Sequence, residues 1–388
     1  MSRALTLLLS ATLCCGPART QDPAGKPDEA LAITLTSPLQ YQVFQRRTRL
    51  DGAVVVRGSA PAAVRVEARI LGHSLAGPLP ARWRHLPFDS ATHQFRGSLN
   101  TTAGGFYTVE VRATDVHRAN VTDTVANVGV GEVFVVSGQS NSTNYGEVLQ
   151  QTQTRMVTNF DGSTWVLAND PQPGTQDNST KGSFIPAFGD ALYRKYHVPI
   201  GIASVGHGST SVRQWLPAGA PADNMPTMTR YITRRPDGVL VSDGTLFNGM
   251  MLRIHQLGPH GFRALLWHQG ESDAHQPPAH EIAATTYASM MKQLIRAAHQ
   301  QAGWGFPWFV AQATYHTPDD PACPPIRDAQ RSLWQSGVAL EGPDTDTLTA
   351  AYRQNGGKGT HFNDAGLKAH GELWAEKVSR YLDAVLVK

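Results

Sequence analysis

Cysteine is almost missing from this chain. Of the three in 388 residues, Cys14 and Cys15 sit in the first twenty, which leaves Cys323. A chain that sheds that segment has no internal disulfide and must be held by its core. Cys323, in "DDPACPP", has no histidine or cation beside it to activate it and reads as inert. Net charge is also scarce: 34 Lys and Arg against 31 Asp and Glu give +3, with no long basic run. That speaks against nucleic acid as a partner, because phosphate recognition needs clustered cations. The 15 histidines form no HExxH, and there is no CxxC. "HQPPAH" (His275, His280) has ligand-like spacing, but its prolines oppose a helix, so metal catalysis is disfavoured and no cofactor is expected.

Long apolar runs are absent as well. The run Ala4 to Cys15 is too short to span a bilayer. It follows Arg3 and precedes Gly16-Pro17 and the small-residue site Ala18-Arg19-Thr20, the layout of a signal peptide cleaved before Gln21. Neither Cys14 nor Cys15 follows the small residue that lipidation requires. The expectation is an exported protein, secreted or periplasmic, without membrane insertion.

What is present divides in two. From Leu31 to about Val130 short alternating bursts ("AVVVRG", "AVRVEARIL", "FYTVEVRA") are separated by Gly, Pro, Asn and Asp at intervals that suggest a β-sandwich. At Glu132 the pattern changes. "EVFVVSG" is a near-continuous apolar run, as in a strand covered on both faces. "IPAFGDALYRKYH", "LFNGMMLRIHQLG", "ATTYASMMKQLIRAAHQQ", "IRDAQRSLWQS" and "AGLKAHGELWAEKVSRYLDAVL" read as helices. "VPIGIASVGHG", "FRALLWHQGES" and "FPWFVAQATYH" read as strands between them. Such alternation implies an α/β domain with a mostly parallel sheet and helices on both faces. The expected organisation is a signal peptide at 1–20, an Ig-like β-sandwich at 21–130 and an α/β domain at 131–388. Two Pro/Gly/Asn-rich stretches, about 142–182 and 215–245, read as long loops, either functional or plain surface.

In open parallel sheets ligands bind beyond the carboxyl ends of the strands. Those ends carry Ser137-Gly138-Gln139-Ser140-Asn141, then Gly206-His207-Gly208-Ser209-Thr210, then His268-Gln269-Gly270-Glu271-Ser272-Asp273. Gly359-Thr360-His361-Phe362 precedes the last helix. A serine, glycine amides, a side-chain amide and a histidine are what acyl transfer to serine requires. Singly each has a plainer reading. Ser140 could be a helix N-cap, Gly208 a turn residue, Gln269 a core amide and His361 a loop residue.

Taken together, "GQSNS", "GHGSTSVRQW", "LLWHQGESDA" and "GTHFNDAG" resemble, in this order, the four blocks of the SGNH hydrolases. More narrowly they resemble the sialate O-acetylesterase and acetylxylan esterase branch, over residues of about 130–388. The resemblance implies a flavodoxin-like three-layer α/β/α domain and removal of acetyl groups from an acetylated carbohydrate. It implies Ser140 as nucleophile, His361 as general base, and the Ser140 amide, Gly208 and Gln269 as oxyanion donors.

One position departs from the pattern. Many relatives carry Asp three residues before the base, where this chain has Lys358. Asp344, Asp346 and Glu271 are remote candidates for the third member. The preferred expectation is a Ser140–His361 dyad, with Lys358 turned away and the carbonyl of residue 358 or 359 holding the second ring nitrogen. Trp165, Trp215 and Tyr145 could stack on sugars or pack down loops. Arg213 and Arg353 could meet a substrate carboxylate or serve in structural ion pairs. Three functional readings stay open: a sialate-type O-acetylesterase, an acetylxylan or general short-chain esterase, and an inactive carbohydrate-binding relative.

Overall fold

The computed structural model describes residues 30–386, so the expected signal peptide lies outside the described residues. The architecture turns on one strand. Asn120–Gly138 runs 19 residues without a break and changes partners halfway. Its first half pairs antiparallel with Gly104–Thr114, and its second half pairs in parallel with Ile200–Ser204 and with Ala264–His268. Burial follows: residues up to Val128 alternate, as in a strand with one wet face, and from Val128 onward all are buried. The boundary expected near residue 130 therefore falls inside a single strand, with no linker at all.

Ahead of it, Asp51–Ser59 pairs antiparallel with Thr34–Ser37 and Gln94–Thr102 in one sheet. Arg65–Leu71 pairs with Gly104–Thr114 in another. The alternation seen in sequence is met: Val54, Val56, Val66, Ala68, Val109 and Val111 are wholly buried between them. A buried ion cluster ties this region to the rest. Glu132, fully buried, accepts from Arg46 Nε at 2.7 Å and from Arg263 Nε at 2.8 Å.

Beyond residue 132 the strands lie in the order Val157–Phe160, Ile200–Ser204, the second half of Asn120–Gly138, Ala264–His268, Trp308–Gln312 and Leu340–Asp344. All neighbouring pairs are parallel. Helices cover both faces. Phe134 and Val136 face Phe188, Leu192, Trp374 and Val378 of the helices Ile185–Tyr196 and Asp364–Val385. Val133 and Val135 face the opposite way, toward Phe247, Met251, Tyr287 and Leu333 of Thr245–Leu257, Ala284–Ala302 and Pro324–Gln335. Each such side chain contributes roughly 1.5–3 kcal/mol on burial, which fixes the two-faced register. Among the described residues no helix is long and apolar enough to cross a membrane.

Two parallel strands escaped the sequence reading. Val157–Phe160 and the antiparallel Trp165–Leu167 lie inside the expected loop 142–182. Leu340–Asp344, "LEGPD", carries a proline that a central strand would not tolerate, and it pairs on one side only, as an edge.

Candidate active site

The central strand is the point where the order of connections reverses: the chain passes first to one side of it and later to the other. Such a switch point leaves a crevice at the carboxyl ends. Gly138 ends the strand at φ 128°, and a Cβ there would lie 2.0 Å from the His268 carbonyl oxygen. Only glycine lets the chain turn so close to its neighbour. The turn delivers the short 3₁₀ segment Ser140–Ser142, whose N-cap is Gln139 rather than Ser140. Ser142 Oγ donates to Gln139 O, and Thr143 N and Oγ1 both donate to Ser140 O at 3.0 Å.

Next to it stands Gly208, tight against Tyr145, whose hydroxyl would be 2.7 Å from a Cβ at that position. Tyr145 in turn stacks on His361, ring centroids 5.1 Å apart. Tyr145 is thus the shared wall between the Gly208 loop and the histidine, a packing role that its position in "NSTNYG" left open. The other two aromatics belong to the core. Trp165 stacks on Phe160, and buried Trp215 donates to Thr210 Oγ1 at 2.9 Å.

His361 is held in a turn that nothing in its immediate sequence advertises. Its Nδ1 lies 3.0 Å from the side-chain amide of Gln354, and its carbonyl accepts from Gln354 N at 2.9 Å. Gly359 is required beneath, since a Cβ there would meet Gln354 Cγ at 2.4 Å. Arg353, buried, clamps the same turn by donating to the carbonyls of Leu348, Thr360 and Thr345 while it lies over the rings of Tyr315 and Phe362. It is a structural cation, each of its three nitrogens bonded to a main-chain oxygen. Asn363 caps the last helix, accepting from Gly366 N at 2.9 Å. Burial foremost, with the Arg353 and Lys181 cations adding to it, depresses the His361 pKa to about 4. The ring is therefore neutral near neutral pH, and with Gln354 Nε2 donating to Nδ1 its one hydrogen sits on Nε2.

The expected carbonyl of residue 358 or 359 is not the group at Nδ1; the Gln354 amide is. Lys358 is exposed, as its like charge demands, and it is absent from the cations acting on the ring. Asp346 is far from free. It accepts from Thr314 N, Tyr315 N, Thr314 Oγ1 and Arg327 Nη1, all within 2.9 Å. Asp344 likewise holds Arg327. Glu271 accepts from Asn141 Nδ2 at 2.9 Å and lies 3.7 Å from His268 Nδ1. Burial raises its pKa to about 7 and lowers that of His268 to about 3. None of the three carboxylates hydrogen-bonds His361.

Two of the three expected oxyanion donors are engaged. Gly208 N donates to Asp177 Oδ2 at 2.6 Å, and that carboxylate also accepts from Ser179 and Thr143. Gln269 is fully buried, with Nε2 donating to Asp273 Oδ2 at 2.6 Å and to Thr210 O at 3.1 Å. Both of its amide hydrogens are spent inside the protein, because Asp273 must also be satisfied by Ser211, Val212 and Arg213. Arg213 is accordingly structural. His275 and His280 go to separate partners, Asp320 with Thr314 O and Met225 O. Gln354 and Asp177 were missed because each sits in a Gly/Asn-rich stretch, at a distance in sequence from the blocks it serves.

Comparison with known proteins gives this arrangement a family. The solved structure of a carbohydrate acetylesterase from Xanthomonas citri shares the fold, with a TM-score of 0.54 at 18% identity over 91% of this chain and 77% of that one. A protein from Arabidopsis thaliana matches at TM-score 0.44 and 17% identity, over 66% of this chain and 99% of that one. No curated protein matches by sequence. The family described as carbohydrate esterase, sialic acid-specific acetylesterase, matches residues 130–380, which include all four blocks, and the chain belongs to that family of carboxylic ester hydrolases.

Proposed function

We propose that this protein is an exported carbohydrate O-acetylesterase that works through a Ser140 acetyl-enzyme. The observation that carries the reading is the histidine: neutral, beside Tyr145, with Nδ1 already occupied. To take a proton at Nε2 the ring must carry its hydrogen on Nδ1, so in the reacting state the Gln354 amide presents Oε1 rather than Nε2 to that nitrogen; Ser140 at the switch point is the proton's source. Oγ attacks the acetyl carbonyl as its proton passes to His361. The ester C–O bond breaks, and the imidazolium returns the proton to the departing sugar oxygen. Water then attacks the acetyl group, giving its proton to His361, and acetate leaves with Ser140 restored.

The oxyanion is received by the main-chain N–H of Ser140 and by Gly208 N–H after Asp177 gives way. The Gly208 amide already binds an anionic oxygen at 2.6 Å, which supports its suitability for the task. Gln269 acts one step back, holding the Gly208–Arg213 loop through Thr210 and Asp273.

The leader at 1–20, the β-sandwich up to residue 130 and the flavodoxin-like SGNH domain from 131 complete the reading. The signal-peptide layout and the two antiparallel sheets support the first two. Sialate-type acetyl esters head the list of substrates on the family description, and acetylxylan and other short-chain carbohydrate esters follow. A second reading, an inactive binder, is favoured by one observation: both side donors are occupied and no carboxylate backs the histidine. Acetate release from O-acetylated sialic acid and acetylated xylo-oligosaccharides separates these. An active enzyme gives acetate from at least one, and a binder gives none.

A further inference from the structure

A cleft of about 550 Å³ lies between the N-terminal sheets and the catalytic part, sharing none of its walls with Ser140, Gly208, Gln269 or His361. That volume falls in the range of about 300–1,000 Å³ usual for ligand sites, which favour junctions between structural units. One wall is the outer face of the sheet carrying Asp51–Ser59 and Gln94–Thr102. The other is formed by the end of the helix Thr245–Leu257, the following loop to Gly261, and the turn after Val157–Phe160.

The charge of this lining is one-sided. It contains Arg57, Arg96, His255 and His260, and not one aspartate or glutamate. Arg57 and Arg96 are directly opposite each other in the antiparallel register, both exposed, and neither makes an ion pair among the described residues. Like charges facing each other across a ladder are destabilising. Asp89 lies in the adjoining hollow, which both arginines also line, and spends its oxygens on Ala91 and Thr92. Between the arginines and the opposite wall the surface offers the amide nitrogens of Gln42 and Gln256, whose oxygens alone are bonded among the described residues, and the half-buried ring of Phe44, the two kinds of group that suit a sugar's hydroxyls and its flat faces.

We infer that this cleft binds an acidic oligosaccharide, with the sugar carboxylates between Arg57 and Arg96 and the chain laid across the amide and aromatic wall. The choice of a glycan over another polyanion rests on the esterase reading above; the anionic character rests on the lining alone. The cleft would then retain an acidic polymer while acetyl groups are removed elsewhere on the molecule.

The test is affinity electrophoresis and titration calorimetry on the full chain, with oligogalacturonate as probe. Fully methyl-esterified oligogalacturonate has the same sugars without charge, and inorganic polyphosphate has charge without sugars. The expected result is binding of the acidic oligomer, at least tenfold weaker binding of both controls, and at least tenfold loss in Arg57→Ser/Arg96→Thr. That double variant should keep acetate release from a small acetyl ester, because neither arginine belongs to the catalytic machinery. Equal binding of polyphosphate would overturn the glycan assignment, and undiminished binding by the double variant would overturn the site. Oligomer binding without acetate release from any ester would sink the esterase reading and leave the cleft standing.

Discussion

Gln354→Glu places a carboxylate where the structure has an amide 3.0 Å from His361 Nδ1. The wild-type ring has a pKa of about 4, because burial and two cations act on it with no opposing charge in contact. An anion at hydrogen-bond distance raises a histidine by about 1–3 units. The base must be unprotonated to work, so kcat/KM falls as pH drops through that value. The acid limb should therefore move from near pH 4 in the wild type to between about 5 and 7 in the variant. On the plateau, a carboxylate can only accept and so keeps the hydrogen on Nδ1, where the wild-type amide nitrogen donates instead; a preference of about 1 kcal/mol converts to a gain of roughly fivefold in kcat. Gln354→Leu, which leaves Nδ1 without a partner, should lose about tenfold in kcat with KM little changed. The assay is acetate release, or hydrolysis of 4-nitrophenyl acetate, followed from pH 4 to 8. An acid limb that stays put in Gln354→Glu, with the fold intact by circular dichroism, would refute the claim that this amide governs the histidine.

Other outcomes follow from the same geometry. Asp177→Asn removes the negative charge from the Gly208 amide and keeps one side-chain oxygen to hold Ser179, so kcat for a small acetyl ester should rise several-fold; a tenfold fall would make Asp177 an anchor the site needs. Glu271→Gln should keep most of the serine-dependent activity, since the carboxylate does not touch His361. It should also be stabilising above neutral pH: a carboxyl raised to about 7 in the fold favours folding below its unfolded value and loses that contribution as pH rises through 7. Urea midpoints at pH 4.5 and 8 should show the variant gaining roughly 1–3 kcal/mol on the wild type between the two, and a pH-independent difference would contradict the raised value. Glu132→Ala leaves Arg46 and Arg263 without their shared carboxylate and should cost about 3–5 kcal/mol in urea unfolding; a loss below 1 kcal/mol would show that the two parts of the chain do not depend on this cluster.

Periodicity made the strands at 132–138, 200–204, 264–268 and 308–312 legible, because residues covered on both faces have no polar partner to interrupt them. Val157–Phe160 was hidden since four residues between turns carry no period, and Leu340–Asp344 because an edge tolerates Gly and Pro. At the site, sequence could nominate Ser140 and His361, whose chemistry is peculiar to their residue types. It could not say where an amide hydrogen goes. Gly208 and Gln269 look like open donors in a string of letters, and only the folded chain brings Asp177 and Asp273 to them. Gln354 reaches His361 by a turn through Asn355, Gly356 and Gly357, all at positive φ, a path that a three-residue spacing rule does not see.

The account stands most directly on Ser140. Acetate release should be measured for the wild type and for Ser140→Ala on O-acetylated sialic acid, acetylated xylo-oligosaccharides and 4-nitrophenyl acetate, with both proteins shown to share one melting temperature. The account predicts turnover of at least one ester by the wild type and a loss of several orders of magnitude in the variant. Undiminished turnover in Ser140→Ala, or no acetate from the wild type on any ester, would contradict it.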